Sequence, residues 1–91
     1  MNRHNHFVIH NDTGKFLILN IEPESAEFAL PKGEKVLVTD VFTAAPVTIR
    51  LSTSERAAIV SIWPGDGDVT VKKDGMDVLD MIQRAGKARS A

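Results

Sequence analysis

Three histidines open the chain at even spacing: His4, His6 and His10. Side chains of equal parity leave the same face of a strand, so three imidazoles would line up there as candidate ligands for zinc, copper or nickel. A straight strand rising about 3.3 Å per residue would put His6 and His10 about 13 Å apart, beyond the reach of one metal. The expectation is a solvated polar edge, with no resident metal and no cofactor. The only tryptophan leads a second candidate, Trp63-Pro64-Gly65-Asp66-Gly67-Asp68. There an indole beside the Asp66 and Asp68 carboxylates could stack a sugar ring or hold calcium. A calcium loop of the EF-hand kind needs alternating oxygen ligands and then a bidentate glutamate, but Val69, Val71 and Lys72 stand where ligands would be required. Turn formation accounts for these glycines and aspartates, with Trp63 capping one end of the core.

Glu22, Glu24 and Glu27 crowd the bend around Pro23, and paired carboxylates are what glycoside hydrolysis uses as acid and base. Alternation along an exposed strand accounts for them as well. Ser25, Ser52, Ser54 and Ser61 lie in no Gly-x-Ser-x-Gly elbow. Gly65 and Gly67 lack the Lys-Ser/Thr that completes a phosphate loop. Arg84, Lys87 and Arg89 fall far below a nucleic-acid footprint, and a net charge of −1 supplies no field to gather polyanions or anionic lipid. Phe7, Phe16, Phe28, Phe42 and Trp63 are the only aromatics, and all are expected in the core. The absence of cysteine removes disulfides, thiolate metal sites and thiol nucleophiles. It fits a reducing compartment, and Phe7-Val8-Ile9 is too short for a leader or a membrane span. A cytoplasmic protein without nucleic-acid or membrane partners is expected.

Strands must position these groups. Apolar runs rich in Val, Ile, Leu and Phe recur about every ten residues between Gly, Pro, Asn and Asp clusters, the pattern of a sandwich or barrel. Phe7 to His10 reads as a first strand closed by Asn11-Asp12-Thr13-Gly14. Lys15 to Ile21 is apolar on both faces, as a strand in mid-sheet would be. Ser25 to Leu30 alternates, and Pro31-Lys32-Gly33-Glu34 turns the chain into Lys35 to Phe42. Val47, Ile49 and Leu51 then share one face, with Thr48 and Arg50 on the other. Ala57 to Trp63 and Val69 to Lys72 follow, and Asp74-Gly75 predicts a tight hairpin into a last strand, Met76 to Leu79. Val78, Leu79, Met81 and Ile82 also fit a helical stripe, so a strand followed by a short helical turn is expected. One β domain over residues 1–82 should give way to a flexible basic tail over 83–91.

The fold class expected is all-β, an antiparallel two-sheet sandwich of roughly seven or eight short strands, with a small β-barrel as the alternative. At 91 residues there is room for one core, and 43% apolar with 25% charged residues indicates neither disorder nor membrane insertion.

Asn11-Asp12-Thr13-Gly14, Phe16 to Ile21, Phe28-Ala29-Leu30-Pro31-Lys32-Gly33-Glu34 and Val36-Leu37-Val38 together resemble a pattern common in immunoglobulin-like and cupredoxin-like sandwiches. The whole chain, including Ser61 to Gly67, also resembles small bacterial single-domain proteins of unassigned function. The resemblance implies a sandwich fold and brings no catalytic residues with it. Type 1 copper needs a cysteine thiolate beside two histidines, and this chain has no cysteine.

By elimination, the expected function is a non-catalytic binding or protein-interaction module. It would act through strand pairing at an open sheet edge or through self-association. Phe16 and Ile18 opposite Leu17 and Leu19, and Leu37 and Val41 opposite Val36 and Val38, leave a second apolar face that another copy of the chain could cover. Two alternatives stand beside it: a metal-dependent or carboxylate-based enzyme built on the histidines or on Glu22 to Glu27, and carbohydrate or small-ligand binding at the Trp63 loop.

Overall fold

The computed structural model describes residues 2–90, with side chains through Arg84. Eight strands and one helix follow in order: β1 (Arg3–His10), β2 (Leu17–Ile21), β3 (Ala26–Leu30), β4 (Lys35–Phe42), β5 (Thr48–Thr53), β6 (Ala58–Trp63), β7 (Asp68–Lys73), β8 (Met76–Asp77) and α1 (Val78–Ser90). They form two four-stranded sheets, β1-β4-β7-β8 and β3-β2-β6-β5, stacked as an open sandwich and not closed into a barrel. Neighbours pair antiparallel except at β2 and β6, which run parallel in the middle of the second sheet. These two strands come from separate hairpins, β2–β3 and β5–β6, with β4 of the other sheet between them in sequence. No tight turn therefore sets their relative direction.

Period-two alternation builds the core. Leu17, Leu19 and Ile21 from β2, Leu30 from β3, Val36 and Val38 from β4, Val60 and Ile62 from β6, Val71 from β7 and Val78 from α1 form one buried cluster. Full burial of each such side chain contributes about 1.5–3 kcal/mol. Two buried polar residues tie strands to loops. Asn11 donates through Nδ2 to the carbonyls of Lys15 (2.7 Å) and Leu30 (2.8 Å), and its Oδ1 accepts from the Thr13 amide and hydroxyl. Asp40, fully buried on the core face of β4, accepts from the Val47 amide at 2.9 Å and so anchors the crossing from β4 to β5.

Besides the parallel β2–β6 pair in a sandwich expected to be antiparallel throughout, the structure departs from the sequence reading in three places. β1 begins at Arg3, and its first residues pair with β4 as far as Phe42, so the histidines sit on a full-length strand. The last strand ends at Asp77, because the Asp77 carboxylate accepts the Leu79 amide at 2.8 Å and caps a helix. The helical stripe then wins, with Leu79 and Ile82 packed on the core and α1 set against β3, β7 and β8. The aromatics do not all enter the core. Phe42 is buried and Phe7 and Phe28 are half-buried, whereas Phe16 and Trp63 are exposed. The expected flexible tail over 83–91 falls mostly on side chains outside those described. Asp74 and Gly75 both take positive φ (52° and 81°) in the β7–β8 turn, the type I′ hairpin that Asp-Gly predicts.

Candidate functional site

The register places His4, His6 and His10 on the outer face of the first sheet, along its edge strand. His4 and His6 stack nearly parallel, with ring centroids 6.4 Å apart. His6 Nδ1 stands 3.4 Å from Thr39 Oγ1, and His10 turns to the Gly33 carbonyl at 3.2 Å. His6 and His10 thus have separate polar partners, and His4 stacks on His6. Among the described residues no group of three or more His, Asp or Glu is placed to hold a metal ion. Glu27 pairs with Asn20 and faces outward from the second sheet. It therefore stands on the opposite side of the sandwich from the histidines, and the structure does not assemble the two sets into one centre.

The Trp63 loop is built for a different purpose. Asp66 Oδ1 accepts the Thr43 amide at 2.9 Å, and Oδ2 accepts those of Ala44 (2.8 Å) and Ala45 (3.0 Å). Three successive backbone N–H groups thus form an anion-binding nest, and the protein's own carboxylate fills it. The Asp66 amide returns a bond to the Ala45 carbonyl at 3.0 Å, so the β6–β7 loop is clamped onto the β4–β5 loop. Asp66 is a fastener here. Asp68 belongs to β7 opposite Val41, and Trp63 lies beside Thr48 on the outer face, 41% exposed.

The amides of Thr43, then Ala44 and Ala45, hold the Asp66 carboxyl below its ordinary value of 3.8. A carboxylate whose pKa is depressed by folding stabilises the native state above its unfolded value, and that contribution disappears as pH falls through the folded one. Melting temperature should therefore fall as pH drops below about 4, and Asp66→Asn should flatten that part of the profile. Parallel profiles for the two proteins in thermal melts would contradict the assignment.

The most conspicuous opening lies along β5. Leu51 pairs with Val60, so it points to the core side of the second sheet, yet it is 75% exposed. The helix covers the other flank, at β3 and β8, and among the described residues nothing comparable covers β5, whose residues are exposed except for half-buried Ile49. This six-residue edge strand contains no proline and pairs with β6 in unbroken register, so its other side presents unpaired backbone donors and acceptors. The sequence placed Leu51 on the inner face through its alternation with Ile49. It could not place the edge of the opposing sheet, and the run Ser52-Thr53-Ser54-Glu55-Arg56 was the one signal that β5 borders solvent. The chain matches no protein-family model, and neither curated proteins nor solved structures show a significant similarity to it.

Proposed function

We propose that the domain is a non-catalytic protein-interaction module whose partner is a second copy of the chain, joined along β5. The observation that carries this reading is Leu51, core-facing by register yet 75% exposed. Antiparallel pairing about a two-fold axis at Leu51 sets that leucine against its symmetry mate, Ile49 against Thr53 and Arg50 against Ser52. No like charges oppose each other in this register. Centring the axis on Arg50 would face two guanidinium groups across the ladder, which is destabilising. β1 is the poorer edge, because its core-facing Phe7 and Ile9 are already half-buried and its outer face carries the histidines. The absence of cysteine supports a reducing compartment such as the cytoplasm.

Light scattering on the purified chain tests this reading. A dimer is expected at about 100 µM, where an association worth about 5.5 kcal/mol or more is populated. Leu51→Lys should give a monomer with a melting temperature close to that of the dissociated parent, since an exposed side chain contributes little to the isolated fold. A monomeric parent at that concentration, or a dimer unaffected by Leu51→Lys, would overturn it.

A further inference from the structure

A second surface, at the end of the sandwich where β1 meets β2, has the composition of a ligand site. Gly14, Lys15 and Phe16 from the β1–β2 loop, Pro31 and Lys32 from the β3–β4 loop and Arg56 from the β5–β6 loop line a concavity of about 380 Å³. This lies within the size range of small-molecule pockets, about 300–1,000 Å³. The Phe16 ring is 57% exposed, and Lys15, Lys32 and Arg56 reach solvent around it. None of the three cations forms an ion pair among the described residues, and no acidic residue lines the concavity.

The other large concavity, about 460 Å³, is different in kind: it is lined by Glu34 and Asp74 as well as by Lys73. Those two carboxylates pair with the Lys73 ammonium and raise its pKa above the usual lysine value. That site is internally neutralised, and its one aromatic ring is the His10 imidazole, which turns to the Gly33 carbonyl. The Phe16 site has uncompensated positive charge, and two of its three loops are held in place. The Lys15 carbonyl accepts both Asn11 Nδ2 and Thr13 Oγ1, and Asn11 also holds the Leu30 carbonyl just before Pro31. Two of the three lining loops are thereby fastened to one buried amide, which lowers the ordering cost of binding.

From this juxtaposition of one exposed aromatic face, three cations unpaired among the described residues and two fastened loops, we propose that the Phe16 concavity binds a small aromatic anion of mononucleotide type. The ring stacks on Phe16, and the phosphate is held by Lys15, Lys32 and Arg56. Stacking of a base on an aromatic side chain is worth about 1–3 kcal/mol, and charge-assisted bonds from guanidinium and ammonium suit a phosphate. This site is independent of the β5 edge, so it stands whether or not the chain dimerises.

The test is an amide-resolved NMR titration of the parent and of Leu51→Lys with AMP, adenosine, inorganic phosphate and a short single-stranded oligonucleotide. AMP is expected to shift Gly14, Lys15, Phe16, Lys32 and Arg56 saturably in both proteins, with adenosine and phosphate each weaker by about tenfold or more. Phe16→Ala, and Phe16→Leu as the better-folding companion, should weaken AMP while leaving phosphate unchanged, and Arg56→Glu with Lys32→Glu should abolish AMP binding. Adenosine binding as well as AMP, phosphate binding as well as AMP, an oligonucleotide binding where AMP does not, or no saturable shift at those amides would each overturn the proposal.

Discussion

Replacing Gly67 with alanine should destabilise the domain by about 3 kcal/mol or more, the upper end of what single substitutions usually cost. A Cβ at this position would overlap the carbonyl oxygen of Val41, and one at Gly65 would overlap that of Ala45. Both obstacles are main chain, so no rotamer change relieves them, and the β6–β7 loop must move away from the end of β4 and from the β4–β5 loop. The Asp66 clamp joins the β6–β7 loop to the β4–β5 loop beside this contact, so the same displacement would strain its three hydrogen bonds. Melting temperature should drop by about 12 °C or more, at about 4–8 °C per kcal/mol for a domain of this size. Gly14→Ala is the control. Its Cβ would meet no atom within 4 Å, and only its φ of +76° opposes a side chain, a cost of about 1–2 kcal/mol. Equal losses for the two variants would show that backbone conformation, and not close approach, makes glycine necessary at Gly67.

Asn11→Asp should be as damaging despite its shape, at about 3–5 kcal/mol, the range for an uncompensated buried charge. The Asn11 amide nitrogen donates to two carbonyl oxygens, those of Lys15 and Leu30. A carboxylate oxygen in its place would face both with nothing to donate, in a fully buried position. Asn11→Ala removes the donor without adding charge and should cost less, about 1–3 kcal/mol for the carbonyls left unsatisfied. Protonation would restore one donor to the aspartate, so the penalty of Asn11→Asp should shrink between neutral pH and about pH 4. Chemical denaturation of the three proteins at both values checks this. A penalty independent of pH, or one smaller than that of Asn11→Ala, would contradict the account.

Much of the scaffold was legible in the sequence because strand alternation and turn chemistry are local. Lys35 to Phe42 and the Asp74-Gly75 turn follow from pattern alone, as does the central place of β2 in its sheet. What the sequence could not supply depended on non-local geometry. The parallel β2–β6 pairing joins strands from different hairpins, and the fate of Val78 and Leu79 was settled by the capping carboxylate of Asp77. Asp66 looked like an available ligand because its three amide partners lie 21 to 23 residues away. Phe16 and Leu51 both carry the parity and hydrophobicity of ordinary strand residues. Their exposure reflects where covering elements stop, which no periodicity encodes.

Cysteine trapping at β5 tests the central claim most directly, because the chain contains no cysteine of its own. Pairing centred on Leu51 would bring the two Leu51 Cα atoms to about 4.5–5.5 Å, within the range a disulfide spans. Leu51→Cys should therefore form a linked dimer rapidly under mild oxidation, and Ser52→Cys, which would face Arg50 of the second copy, should remain largely monomeric. A Leu51→Cys chain that stays monomeric under the same oxidation, or equal linkage of the two variants, would contradict self-association through β5.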